Sequence, residues 1–170
     1  MKVLSKNLEE TNKVAKDFLN NISPKADSAT IVGLFGDLGS GKTTFTQALA
    51  RHLNVLEVVT SPTFVIEKIY LLNNDQKLSE NPLRLTQTCL RRQANLYEEI
   101  PKAFKKLIHI DAYRLDSGKE LLSLQFAEIQ KDPKNLILIE WPERVADILP
   151  VDLVKINFKF ISENEREILF

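Results

Sequence analysis

The sequence predicts an α/β fold, a three-layer sandwich with helices on both faces of a mainly parallel central sheet. Three observations lead there. Short apolar runs of buried-strand type occur at 29–35, 107–111 and 135–140. Stretches with helical apolar spacing separate them. A glycine-rich turn joins the first strand directly to a helix. At 170 residues, 44% hydrophobic and 27% charged, the composition is that of an ordinary globular protein, and a single domain over 1–170 is expected.

The elements follow in order. Asn7-Leu8-Glu9-Glu10 has the pattern of a helix start, and Leu8, Ala15, Phe18, Leu19 and Ile22 recur at helical spacing, giving a helix near 7–20 that stops before Pro24. After the strand at 29–35 and its glycine turn, Phe45, Ala48, Leu49 and Leu53 repeat at helix period. Residues 64–72 read as an extended, partly exposed strand. Residues 73–106 are polar, begin Asn73-Asn74-Asp75 and are broken by Pro82 and Pro101, which marks an inserted arm with one helix around 84–100. Its second part sets Arg84, Arg91, Arg92, Lys102, Lys105 and Lys106 against only Glu98 and Glu99. The runs 107–111 and 135–140 each end in a carboxylate, Asp111 and Glu140. Between them Ser117-Gly118-Lys119-Glu120 is a capping box opening a helix through Leu121, Leu122, Leu124 and Ile129. Pro142 starts a further helix ending at Pro150, and 153–161 and 167–170 are closing strands.

Composition removes several function classes. Lys+Arg and Asp+Glu both number 23, so no strong overall positive field is available to grip nucleic acid, although a local patch remains open. One cysteine, Cys89, excludes an internal disulfide, and with only His52 and His109 beside it a Cys/His zinc site is excluded too. The apolar runs are far too short to span a membrane. The first thirty residues carry Glu9, Glu10 and Asp17 without an apolar block, unlike a signal peptide. A soluble, cytoplasmic protein is expected.

Residues 36–43, GDLGSGKT, are a full G-x-x-x-x-G-K-[ST] match between an apolar strand and an amphipathic helix. Gly36, Gly39 and Gly41 let the backbone turn tightly enough for successive N–H groups to face phosphate oxygens, and the helix N-terminus adds partial positive charge. Lys42 can reach the outer phosphates and Thr43 can hold Mg²⁺ through its hydroxyl. The loop therefore predicts a P-loop NTPase-like fold. Such a loop needs a carboxylate on a neighbouring strand end, and Asp111 and Glu140 are the two candidates. No Asn-Lys-x-Asp follows the loop to recognise guanine, so ATP is the expected nucleotide.

Four strings in order, GDLGSGKTT, Ser61-Pro62-Thr63-Phe64, His109-Ile110-Asp111-Ala112-Tyr113-Arg114 and Ile139-Glu140-Trp141-Pro142-Glu143, resemble the TsaE (YjeE) family of bacterial ATPases over nearly the whole chain. That family serves synthesis of threonylcarbamoyladenosine in tRNA. The resemblance implies a slow, Mg²⁺-dependent ATPase that couples hydrolysis to the transferase subunits TsaB and TsaD. It implies nucleotide contacts from Gly36, Asp37, Leu38, Gly39, Ser40, Gly41, Lys42, Thr43 and Thr44, with Thr11 near the adenine. Mg²⁺ would sit on Thr43 and Glu140, Asp111 would orient water, Lys42 would act on the outer phosphates, and Thr63 would belong to a switch segment.

Other readings of single residues stand beside these. Trp141 reads as core packing, His109 as a hydrogen-bonded core histidine beside Asp111, and Tyr113 and Arg114 as local packing or as part of a nucleotide or partner face. The stretch 73–106 is longer than is typical of the family. It is either a tolerated surface insertion, since long loops cost little extra closure entropy, or a basic arm in which residues 84–106 contact tRNA or a partner. Two other functions share the loop: a small-molecule or nucleoside kinase, and a nucleotide-gated binding module with negligible turnover.

Overall fold

A computed structural model describes residues 1–72 and 104–170. The elements run β1 (Lys2–Ser5), α1 (Leu8–Asn21), β2 (Thr30–Phe35), α2 (Lys42–His52), β3 (Glu67–Leu71), β4 (Lys106–Asp111), α3 (Gly118–Ser123), α4 (Phe126–Ile129), β5 (Asn135–Glu140), a 3-10 turn (Pro142–Val145), β6 (Val154–Phe160) and β7 (Arg166–Leu169). The strands form one seven-stranded sheet in the order β1-β7-β6-β2-β5-β4-β3. Its inner strands β6, β2, β5 and β4 are mutually parallel, while β3, β7 and β1 add on antiparallel at the edges. The α/β sandwich with a mainly parallel centre is the architecture expected from the sequence.

Side-chain alternation explains the layers. Val32, Leu34, Leu107, Leu136, Leu138, Ile156 and Phe158 face α1 and α2, where they meet Val14, Ala15, Leu19, Phe45, Ala48 and Leu49. Ile31, Ile108, Ile110, Ile137 and Ile139 point the other way and are covered by Leu121, Phe126 and Val145. Strands buried on both faces must be apolar at consecutive positions, as 31–35 and 136–139 are and as 107–110 is apart from His109. No helix among the described residues is long and apolar enough to cross a membrane.

Local chemistry sets the boundaries. Asn7 caps α1, its side-chain oxygen accepting from the Glu10 N–H at 2.8 Å, and Glu10 accepts in return from the N–H of Lys6 at 2.7 Å. Leu8, expected on the buried stripe, is instead 71% exposed. β3 begins at Glu67, not Phe64, because Val65 and Ile66 turn back to the Pro62 carbonyl and Ile66 has φ 67°. The single helix expected to run from Ser117 to Ile129 is two short ones, broken where Gln125 adopts φ 63°. Ser117 makes no side-chain cap, and Glu120 accepts from the Asp116 N–H instead. The helix expected from Pro142 to Pro150 is one 3-10 turn.

The inserted stretch ends earlier than expected. Phe104 is fully buried, the Leu72 N–H donates to the Lys105 carbonyl, and the Lys105 N–H donates to the Lys134 carbonyl, each at 2.8 Å, so the chain has joined the sheet before Lys106 opens β4. The helix expected around 84–100 and the basic residues Arg84, Arg91, Arg92 and Lys102 lie outside the described residues.

Candidate functional site

The parallel register brings three strand ends together. Asp111 on β4 pairs with Glu140 on β5, and Leu34 on β2 pairs with Glu140 on its other side. β2 then runs directly into the glycine loop. Gly36 has φ +136°, and a Cβ on it would lie 2.2 Å from the Phe158 carbonyl, so a side chain there has no room. Gly41, with φ 104°, is the residue from which α2 springs.

A cleft of about 360 Å³ opens above these strand ends. Leu38 through Thr44 of the loop line it, with Thr11 from α1, Asp111 and Glu140. Thus the structure gathers most of the expected site residues around one cavity. Gly36 and Asp37 are not in its lining; their carbonyls accept from Lys42 Nζ at 2.6 and 2.9 Å. Thr11 is held by its neighbours, with Oγ1 2.7 Å from Ser5 Oγ and donating to the Asn7 carbonyl at 3.2 Å.

The polar groups form two connected sets. In the first, Thr43 Oγ1 donates to both carboxylate oxygens of Glu140, at 2.8 and 3.0 Å, and His109 Nε2 lies 2.9 Å from Glu140 Oε1. In the second, Ser61 Oγ donates to Asp111 Oδ2 at 2.9 Å, Thr63 Oγ1 donates to the same oxygen, and the Tyr113 N–H donates to Oδ1 at 3.0 Å. His109, read as a hydrogen-bonded core histidine, makes its bond to Glu140 on the neighbouring strand. A strand-end carboxylate buried this deeply is costly unless hydrogen-bonded, and each of the two has three donor contacts.

Lys42 is a buried cation of the cleft, with only 4% of its surface exposed. Burial pushes its ammonium below the ordinary lysine range, while Glu140, Glu143, Asp111 and Asp37 pull it back toward the charged form. Trp141 faces it. The indole is partly buried against the core, yet its ring centroid is 4.0 Å from Lys42 Nζ and 5.1 Å from the Tyr113 ring. Trp141 is therefore a cleft residue as well as a packing residue, carried there by a left-handed backbone at φ 58° that ends β5 abruptly. Tyr113 lines the cleft, whereas the Arg114 guanidinium stacks 4.4 Å over Phe64, which is 84% exposed.

The β6–β7 hairpin supplies a wall that sequence reasoning missed. Glu163, Asn164 and Arg166 line the cleft. Arg166 Nη1 donates to the Ser162 and Glu165 carbonyls at 2.6 and 2.9 Å, and its stem lies beside Gly41. The only signal for it in the sequence was an arginine at the start of a closing strand.

Comparison with known proteins matches this arrangement to a family. The model of the family described as "Threonylcarbamoyl adenosine biosynthesis protein TsaE" matches residues 5–80 and 93–168, and the interruption falls inside the stretch read as an insertion. The chain is 32% identical over 159 residues to the tRNA threonylcarbamoyladenosine biosynthesis protein TsaE of Rickettsia typhi, covering 93% of this chain and 85% of that protein. It is 31% identical over 164 residues to the Bacillus subtilis protein of the same name, covering 96% and 80%. Among solved structures, that of Bacillus subtilis YdiB superposes with a TM-score of 0.61 at 28% identity, covering 99% of this chain and 82% of that one. On a match of this extent, the chain belongs to the TsaE family, whose assigned work is the biosynthesis of threonylcarbamoyladenosine in tRNA.

Proposed function

We propose that this chain binds ATP with Mg²⁺ in the cleft and hydrolyses it, and that it acts as the energy-coupling subunit of threonylcarbamoyladenosine synthesis beside the transferase pair TsaB and TsaD. The observation that carries the reading is the convergence of the loop, Lys42 and Thr43 on a buried Glu140 at the end of a neighbouring strand. Two features support a phosphate ligand. The loop's N–H groups and the start of α2 surround one side of the cavity, and Ser40, which lines it, has a buried hydroxyl without a partner among the described residues.

The donor set fits Mg²⁺. Thr43 and Glu140 offer hard oxygen ligands from one hydroxyl and one carboxylate, and no group of three or more His, Cys, Asp and Glu that could hold a metal occurs among the described residues. Mg²⁺ is commonly held that way, by one or two carboxylates with the remaining positions filled by phosphate and water. When bound, the cation supplies charge neutralisation at the outer phosphate oxygens. Lys42 exchanges its contacts with the Gly36 and Asp37 carbonyls for phosphate oxygens, and the loop amides stabilise charge as it develops. Asp111, freed from Ser61 and Thr63, accepts a hydrogen bond from the attacking water and orients it.

A second reading draws on Asp111 itself. Both of its oxygens are occupied by hydrogen bonds, which suits a nucleotide-gated docking module whose Ser61–Phe64 segment stays closed. Phosphate release from MgATP, measured with and without TsaB–TsaD and with no other acceptor, separates the two. Release that rises with the pair and disappears in Lys42→Ala supports the coupled ATPase. Tight binding with no release in either condition supports the docking module and refutes the ATPase.

A further inference from the structure

His109 is fully buried on β4, two residues before Asp111. Its cross-strand neighbours are Leu138 on β5 and the partly buried Lys68 on β3, and both Leu138 and Leu107, which precedes it on the same face, belong to the aliphatic core. In that setting an imidazole is a costly choice. Among the described residues Nδ1 is buried without a partner, and a leucine would fill the space with no stranded polar atom. The one hydrogen bond the ring makes among the described residues is from Nε2 to Glu140 Oε1, at 2.9 Å. A carboxylate oxygen accepts, so the bond places a ring proton on Nε2.

That bond fixes a side chain with three rotatable torsions. With Oε1 tied to the imidazole, the Glu140 carboxylate lies against the Thr43 hydroxyl with both oxygens in reach. Without the tie, the carboxylate has no other side-chain donor than Thr43 among the described residues. We propose that His109 is a positioning residue that orients Glu140 for the divalent cation, an assignment that rests on the reading of Thr43 and Glu140 as the Mg²⁺ donors. Loss of a bond that orients a metal-binding side chain typically weakens metal affinity about 10–100-fold.

The test is ADP affinity measured by calorimetry across a Mg²⁺ series, for the wild-type chain, His109→Leu and His109→Gln. Gln retains an N–H near the position of Nε2; Leu does not. The Mg²⁺ concentration at the midpoint should rise about 10-fold or more in His109→Leu and return to within about threefold of wild type in His109→Gln. Affinity for ADP without metal should be the same in all three. A wild-type midpoint in His109→Leu overturns the proposal, and so does a His109→Gln midpoint shifted as far as that of Leu. Should His109→Leu fail to fold, the ¹⁵N spectrum of the metal-free wild-type ring decides: protonation on Nε2 supports the bond, and protonation on Nδ1 refutes it. Wild-type ADP affinity that ignores Mg²⁺ overturns the metal reading itself, a result visible before any variant is made.

Discussion

Replacing Gly36 with alanine isolates the backbone demand of the phosphate loop from its chemistry. At φ +136° an L-residue is strained by about 1–3 kcal/mol. The added methyl would also stand 2.2 Å from the Phe158 carbonyl oxygen, a backbone atom of β6, and 3.0 Å from Ser40 Oγ. Neither the loop nor the strand yields freely, because β2 pairs with β6 from Val32 to Phe35, and relief of such an overlap costs about a further 1–3 kcal/mol. Gly36→Ala should therefore lose about 2–6 kcal/mol. Gly39→Ala is the internal control: its φ is +74° but nothing lies within 4 Å, so only the left-handed penalty of about 1–2 kcal/mol applies. Urea denaturation followed by far-UV circular dichroism reads both. With a slope of about 2 kcal/mol per molar urea, the midpoint should fall by about 1–3 M for Gly36→Ala and by under about 1 M for Gly39→Ala. Equal shifts, or a loss below about 1 kcal/mol for Gly36→Ala, would refute the argument from the Phe158 carbonyl.

Three further outcomes follow from individual contacts. Trp141 is the sole tryptophan of the chain, and Lys42 Nζ lies 4.0 Å from its ring, so Lys42→Met should change the emission of the ligand-free protein; an unchanged spectrum would deny the cation–π contact. Burial raises the Glu67 carboxyl above its ordinary value of 4.5, and Oε2 has no partner among the described residues. The folded chain then holds a proton that the unfolded chain releases, and stability is lost as pH climbs from 4.5 through the folded value. Glu67→Gln should raise the thermal midpoint by roughly 1–3 °C at pH 7, with no gain at pH 4; a loss at pH 7 would contradict this. His52 is shifted the opposite way, desolvation lowering it from 6.5 despite its contact with the Asn12 carbonyl. Its contribution is complete above pH 6.5 and lost as pH falls through the folded value, because the unfolded chain takes the proton first. Thermal midpoints from pH 7.5 to 5 should fall less steeply in His52→Gln than in wild type, and parallel slopes would exclude the effect.

The readable parts of this molecule were those governed by local pattern. Strands buried on both faces must be largely apolar, so β2, β4 and β5 stood out along with the carboxylates that end two of them. The glycine loop declared itself by spacing. What escaped depends on contacts between distant residues. β1 is four residues long with only Ser5 buried, too short for periodicity, and it exists because β7 offers a free edge. The break at Gln125 and the kink at Trp141 are left-handed turns at residues with no preference for them, imposed by tertiary packing. The sequence put His109 next to Asp111 along the strand, yet its bond reaches across to β5. Likewise Ser61 and Thr63 were visible as a motif, but their convergence on one oxygen of Asp111 depends on how the loop before β3 folds back.

Because β3 is antiparallel to β4, Leu71 pairs with Lys106 and Glu67 with Ile110. The residues flanking 73–103 therefore meet the sheet at the end opposite to Asp111, about 16 Å away along five residues of β4. Whatever sequence joins Leu72 to Phe104 is tethered to a rim remote from the carboxylates. This makes the join a natural docking port for protein engineering. A fluorescent domain, an affinity handle or a shorter linker spliced between those two anchors leaves the strand ends that shape the cleft under the control of their own ladder.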